Sequence, residues 1–287
     1  MPIDIKLSSA IRSNLLALQN TASLVARTQG RLSTGLKVAS AVDDAVSFFQ
    51  AKAISDRASD MTAKKDGIDQ GISTLTVALQ AVESTEKVYS QLKGVLLSAK
   101  SGGETDRAEL NDQFNSLALQ ANLLVEDASY QGLNMISSTG SALKISFSEK
   151  SASVLTVDGV NLHFSQFTGL ETFKASVAGS QVVSVAWEAV SDNISLFDDV
   201  IDILDSAIAT IRVNAATLGS NVSLLKTRLD FTSNYVSTLT IGSDKLTLAD
   251  LNEEGANLVA LQTRQQLATQ ALAFAGQSEQ AVLQLFQ

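Results

Sequence analysis

Cysteine is absent from this chain of 287 residues, and proline occurs once, as Pro2. Without cysteine there is no disulfide framework and no thiolate-ligated metal, and an oxidising compartment is tolerated. Without an internal proline the backbone meets no obligatory helix break, so very long helices are permitted. Aromatic residues make up 5% of the chain, which leaves packing to Ala, Leu, Val and Ile and favours regularly spaced helices over a β-sandwich. Lys and Arg number 21 against 30 Asp and Glu, for a net charge of −9. No basic stripe tracks phosphates, which argues against a nucleic-acid partner. No run approaches the roughly 20 apolar residues of a membrane span. The opening MPIDIKLSSAIRSNLL also lacks a basic segment followed by an apolar one. The expectation is therefore neither membrane insertion nor a cleaved signal peptide. A chain of this length can hold one to three domains and a sizeable core.

What the chain does have is hydrophobic periodicity. From Ile194 onward, Phe197, Ile201, Leu204, Ile208, Ile211, Ala215, Leu218, Val222, Leu225, Leu229, Thr232, Val236 and Leu239 alternate in steps of three and four, the spacing of a heptad seam. A continuous helix here would be roughly 70 Å long and needs long helical partners. Ile68, Ile72, Leu75, Leu79, Val82 and Tyr89 supply a second seam, and Leu110, Phe114, Leu117, Ala121 and Leu124 a third. The turn SGGETD at residues 101–106 separates these two and predicts an antiparallel pair. Near the start, Leu15, Leu18, Ala22 and Val25, then Leu32 and Leu36, form a further seam. At the end, Leu258, Leu261, Ala268, Leu272, Ala275, Val282 and Phe286 form another. The two ends are expected to be partners for each other.

Between these blocks, from about residue 137, apolar and polar residues alternate with a period of two, which predicts a β-hairpin turning at Asp158-Gly159. Strands are expected to continue to about residue 185. The predicted fold is mainly α, with long antiparallel helices in a coiled-coil-like bundle and a small insertion rich in β-hairpins.

Isolated motifs carry little chemistry. Asp43 and Asp44 are adjacent, so they do not face one another on a helix; they are read as N-terminal caps before Ala45 that complement the helix dipole. His163 is the single histidine, so a His-x-x-x-His zinc pair is absent; it is placed at a surface or sheet edge of the hairpin region. Asn193-Ile194-Ser195 and Asn221-Val222-Ser223 fit the glycosylation pattern but fall in the long heptad helix. Gly102-Gly103 is a turn, since no Lys-Ser/Thr follows at phosphate-loop spacing. No catalytic, cofactor-binding or metal-ligating residue emerges.

The segment RLSTGLKVASAVDDAVS at residues 31–47 closely resembles the signature of bacterial flagellins, through Arg31, Leu32, Gly35, Leu36, Asp43 and Asp44. QGISTLTVALQAVE at residues 70–83 and LGSNVSLLKTRLDFTSNYVSTL at 218–239 are similar to the family's helices, and AFAGQSEQAVLQLF at the end is similar to its terminus. The resemblance covers about the first 135 and last 100 residues. It departs from the family pattern where Val46-Ser47 replaces the usual glycine, and in a middle too short for a large outer domain.

The resemblance implies a non-enzymatic filament subunit without cofactors, exported without signal cleavage to the extracellular flagellum. Its partners would be other copies, sibling flagellins where a cell makes several, the flagellar export apparatus, a flagellin chaperone, and the junction and cap proteins. A hook-filament junction protein is the alternative within the superfamily. A membrane-active translocator is disfavoured because no strongly hydrophobic helical hairpin is present.

The expected division places a terminal coiled-coil domain at 1–45 and 249–287, ordering on assembly. A helical bundle occupies 46–136 and 190–248, and a β-rich insertion 137–189. Terminal coiled-coil and subunit contacts are assigned to Leu15, Leu18, Ala22, Val25, Leu32, Leu258, Leu261, Ala268, Leu272, Ala275, Val282 and Phe286. The bundle core is assigned to Ile72, Leu75, Leu79, Phe114, Leu117, Ile201, Leu204, Ile208, Ile211, Leu218 and Leu225.

Overall fold

The structure, a computed structural model, describes residues 9–167 and 195–285. Helix α1 spans Ser9–Thr34, α2 Ala45–Ser101 and α3 Glu104–Asp127. Strands β1 (Ser129–Tyr130), β2 (Leu133–Asn134), β3 (Ala142–Ser146) and β4 (Val154–Asp158) follow, then a single 3-10 turn at Phe164–Gln166. Helices α4 (Ser195–Thr247) and α5 (Leu251–Leu285) complete the described chain. It divides into two compact units, Met1–Ala58 with Ser237–Gln287, and Ser59–Val236. The divisions fall inside α2 and α4.

The second unit has one core, formed by α2, α3 and α4 with the hairpins against them. Along α2, Ile68, Gly71, Leu75, Ala78, Val82, Thr85, Tyr89, Leu92, Leu96 and Ala99 follow steps of three and four, and all are buried. Ile72 and Leu79 flank this line, partly buried and packed against the core. On α4 the seam residues Phe197, Ile201, Leu204, Ile208, Ile211, Leu218, Val222 and Leu225 are buried. On α3, Phe114 and Ala121 are buried, with Leu110 and Leu117 packed against the same core. Long helices form here because no proline interrupts them and one stripe of each is closed by the other two. At 53 residues, α4 is about 80 Å long.

Gly103 is the N-cap of α3, and its amide donates to Asp106 Oδ2 at 3.4 Å. At the far end Asn134 ties the helix down: its side-chain amide donates to the carbonyls of Val125 (2.7 Å) and Glu126, while its oxygen accepts from the amides of Ile136 and Ser137. Strands β1 and β2 turn at Gln131-Gly132, both with positive φ (51° and 83°), the conformation of a tight primed hairpin turn.

The β3/β4 hairpin pairs Ala142 with Asp158 through Ser146 with Val154. Its connection is therefore the loop at residues 147–153, and Asp158-Gly159 does not turn it, contrary to the sequence expectation. Gly159 lies just beyond β4, where a Cβ would sit 2.5 Å from the Ser138 carbonyl, so glycine serves close backbone approach there. Ile145 and Val157 are buried on the inner face of the hairpin, while Lys144 and Thr156 point outward. His163 precedes the 3-10 turn as its N-cap and is not in a strand. Next to it, the Phe164 amide donates to the buried Asn122 side-chain oxygen at 2.9 Å. The strand expectation beyond residue 167 and the Asn193-Ile194 pair lie outside the described residues.

Candidate assembly surface

The unit containing the chain ends is built on the pairing of α1 with α5. Arg31, at the end of α1, meets Glu254, in the first turns of α5, at 2.8 Å, so the two helices run antiparallel. The stripe of α1 least exposed to solvent is Ile11, Asn14, Leu18, Thr21, Val25, Thr28 and Leu32; on α5 it is Glu254, Leu258, Leu261, Gln265, Ala268, Leu272 and Ala275. Both step by three and four. Leu18, Val25, Leu32, Leu258, Leu261, Ala268, Leu272 and Ala275 thus share the line between the helices. Leu15 and Ala22 stand outside it and are exposed. The Val282 side chain and Phe286 lie outside the described residues.

Polar members occupy almost half of the α1 stripe. Asn14, Thr21 and Thr28 remove apolar area from the seam, and a polar residue at such a position fixes register at a cost in stability. Meanwhile the outer faces carry large apolar groups. Leu15, Leu16 and Leu24 on α1 and Val259, Leu267 and Phe274 on α5 are exposed, Leu267 by 60% and Phe274 by 71%. The described apolar residues of α5 therefore rest only in part on α1.

The signature segment forms the joint at which the two helices meet. Gly35 ends α1 with φ +72°, and its amide returns to the Arg31 carbonyl at 2.8 Å; a left-handed residue after the last turn is where glycine is favoured. The next residues run antiparallel to the chain between α4 and α5. Leu36 bridges Leu248, the amides of Lys37 and Val38 donate to the Thr247 carbonyl, and the Ala249 amide donates to the Gly35 carbonyl at 2.9 Å. Asp250 accepts from the amides of Asn252 and Glu253 and so caps α5. Glu254 is buried beside Arg31. Asp250 and Glu254 were not singled out from sequence, although Asp250-x-x-Glu253 before an apolar run is a helix-start pattern.

The two adjacent carboxylates do separate jobs. Asp44 Oδ1 accepts from the amides of Val46 and Ser47, and Oδ2 accepts from the Ser47 hydroxyl at 2.8 Å, so Asp44 caps α2. Asp43 instead closes the preceding loop, accepting from the Ser40 hydroxyl and the amides of Ala39 and Ser40; it does not cap the helix. The Ser40 hydroxyl and amide hold the Asp43 carboxyl below the usual carboxylate range, and the Ser47 hydroxyl and amide do the same for Asp44.

The described residues bring no reactive centre together. Among the described residues no group of His, Asp and Glu could hold a metal ion. A shallow hollow of about 340 Å³ lined by Gln166, Phe167, Asp202, Ile203, Ser206 and Thr210 contains no nucleophile paired with a base. What the arrangement offers is apolar helix surface without a partner among the described residues, held on an antiparallel joint tied by backbone hydrogen bonds.

Residues 6–141 match the bacterial flagellin N-terminal helical region, and residues 201–286 the bacterial flagellin C-terminal helical region. The chain is 31% identical to flagellin FljM of Caulobacter vibrioides over 281 residues, covering 95% of each. It is 28% identical to a flagellin of Brucella melitensis, covering 96% of each. Among solved structures it resembles a Vibrio parahaemolyticus protein provisionally described as flagellar hook-associated. That likeness has a TM-score of 0.55 at 13% identity and covers 72% of this chain and 100% of that one, and it speaks to fold alone.

Proposed function

Because this chain belongs to the bacterial flagellin family, and so is a structural subunit that polymerises with its own kind into the flagellar filament, we propose that α1 and α5 are its assembly element. The observation that carries this reading is the mismatch between the two sides of that helix pair. The inner seam is thinned by Asn14, Thr21, Thr28 and Gln265, while Leu16, Leu24, Leu267 and Phe274 remain outside it. A pair of helices so arranged buries too little alone to offset chain entropy, and contacts with neighbouring copies supply the remainder. One such contact, repeated by a single non-closing operator, generates a helical filament.

The same reading extends to the chain's history. It leaves the cell through the flagellar export apparatus, accompanied before assembly by a flagellin chaperone, and adds between junction and cap proteins. Its role is structural, with no catalytic step.

Deletion of residues 277–287 tests the assembly element. Val282, Leu283, Leu285 and Phe286 would each contribute about 1.5 to 3 kcal/mol if fully buried in the filament. The truncated chain is expected to fail in seeded polymerisation followed by electron microscopy, while its thermal unfolding shifts little, because the α2–α3–α4 core contains none of these residues. Normal filaments from the truncated chain, or a melting temperature lowered by many degrees, would show that the terminus belongs to an ordinary intramolecular core.

A further inference from the structure

Ion pairs between described residues join α2 to α4 at regular spacing. Glu86 pairs with Arg212 (2.8 Å), Lys93 with Asp205 (2.5 Å) and Lys100 with Asp198. On α2 the partners advance by one heptad at each step; on α4 they recede by one heptad. Each follows directly on a buried seam residue: Thr85, Leu92 and Ala99 on one helix, Ile211, Leu204 and Phe197 on the other. These are e positions, and in an antiparallel pair e faces e, where charges set partner choice and orientation.

The signs are not uniform along the ladder. Helix α2 presents minus, plus, plus, and α4 presents plus, minus, minus. We infer that this sign pattern is a register lock, which distinguishes the native alignment of α2 and α4 from alignments displaced by one heptad in either direction.

The need for such a lock follows from the seam. A one-heptad displacement, about 10 Å, returns most aliphatic seam residues along Ile68–Ala99 and Phe197–Leu225 to aliphatic neighbours, with Gly71, Thr85, Tyr89 and Phe197 as the exceptions. Hydrophobic burial by itself therefore discriminates weakly between registers. The ladder does not share this degeneracy. Displaced one way, Glu86 faces Asp205 and only Lys93 with Asp198 remains attractive. Displaced the other way, Lys93 faces Arg212 and only Lys100 with Asp205 remains attractive. Each error leaves one attractive pair in place of three and creates one repulsive pair.

The lock is separable from the strength of the pairs. Glu86→Lys together with Arg212→Asp makes α2 uniformly basic and α4 uniformly acidic at these positions. All three native pairs survive, but displaced alignments no longer bring like charges together. A second variant inverts the whole code: Glu86→Lys, Lys93→Glu, Lys100→Glu, Asp198→Lys, Asp205→Lys and Arg212→Glu. This keeps the discrimination intact.

Stopped-flow circular dichroism of the full chain at low salt, at concentrations below polymerisation, reads unfolding and refolding. The uniform ladder is expected to unfold within about twofold of the unmodified rate. It should refold with an added slow phase about tenfold slower, the escape from displaced alignments whose relative population its loss of discrimination raises. The inverted ladder is expected to refold without that phase. The unmodified chain should acquire the slow phase in about 1 M NaCl, where exposed pairs are screened beyond roughly 3 Å. Single-phase refolding of the uniform ladder, equal slow phases in both variants, or no slow phase in the unmodified chain at high salt would overturn the inference. The salt arm needs no substitution, so it decides the matter even if a variant fails to fold. None of these outcomes depends on filament assembly.

Discussion

Substituting Gly71 with alanine in the middle of α2 should destabilise the bundle, although alanine is the better helix former by about 1 kcal/mol. The reason is the β3/β4 hairpin. A Cβ at position 71 would lie 2.2 Å from Ile145 Cδ1 and 2.9 Å from its Cγ1, with Leu225 Cδ1 at 3.8 Å. Ile145 is buried and β-branched, so its side chain has little freedom to turn away. Overpacking of this kind costs about 1 to 3 kcal/mol, which leaves Gly71→Ala a net loss of up to about 2 kcal/mol after the helix gain. Ile145→Val alone removes the Cδ1 methyl and should cost about 1 kcal/mol. In the double variant the alanine methyl takes the space that Cδ1 vacates, and the residual 2.9 Å contact with Cγ1 is relieved by a shift of the hairpin side chain. The double variant is therefore expected within about 0.5 kcal/mol of the unmodified chain, a coupling of about 1 to 3 kcal/mol. Urea unfolding of the four proteins, followed by circular dichroism at one temperature, closes the cycle. Additive losses, with the double variant the least stable, would mean that the hairpin does not rest on Gly71 as described.

Phe274→Asp places a charge on the exposed outer face of α5; loss of about 2 kcal/mol per contact would raise the critical concentration for seeded polymerisation about thirtyfold, with the thermal unfolding of the free chain unchanged. Glu254→Gln removes the counter-charge of half-buried Arg31 and should weaken the α1–α5 joint by about 1 to 2 kcal/mol, seen as a five- to thirtyfold higher critical concentration that Phe274→Asp and Glu254→Gln reach by different routes. Tyr89 is fully buried with no hydrogen-bond partner for its hydroxyl among the described residues, and desolvation drives its pKa far above the ordinary phenol value. Tyr89→Phe is expected to stabilise the bundle by about 1 kcal/mol, or about 2 to 4 °C in melting temperature; a lower melting temperature would indicate a buried water on the hydroxyl. Asp43 and Asp44 have lowered pKa values, so their contribution is present above the ordinary carboxylate range near 3.8 and is lost as pH falls through their folded values; amide exchange at Val46 and Ser47, normalised for intrinsic rates, should lose protection on that acid side and not near neutrality.

The long seams were legible because steps of three and four survive in the identity of aliphatic residues. The α4 seam from Phe197 to Leu225 reads directly off the sequence. On α2 the reading falls on Ile72 and Leu79, whereas the fully buried line runs through Gly71, Ala78 and Thr85. Hydrophobicity alone ranks isoleucine above glycine, but a hairpin side chain pressing on position 71 reverses the order. The same blindness affects α1, where Asn14 and Thr21 take inner positions that Leu15 and Ala22 were expected to hold. Turn chemistry misled in a complementary way. Asp158-Gly159 is a strong hairpin signal, yet that glycine is used for close approach, and the tight primed turn is Gln131-Gly132, whose glutamine gives no such signal. The joint at Gly35, Leu36, Thr247 and Ala249 brings together segments more than two hundred residues apart, and no local pattern reports a backbone bridge of that kind.

The two helix pairs divide the work of the chain by where they place apolar area. In the α2–α4 pair most of it lies inward, with a third helix and a hairpin to close it and ion pairs along one edge, although Leu97, Val213 and Leu224 are exposed outside the core. In the α1–α5 pair the inner line is diluted by asparagine, threonine and glutamine, while leucine and phenylalanine stand outside. Exchanging Thr21 and Thr28 for isoleucine would strengthen that inner line, yet it would do nothing for the outer residues, whose burial requires another chain. On the proposed assembly role of α1 and α5, this asymmetry serves a subunit that joins a polymer: the inner seam is left weak, and the exposed apolar residues remain available for a contact with the next copy.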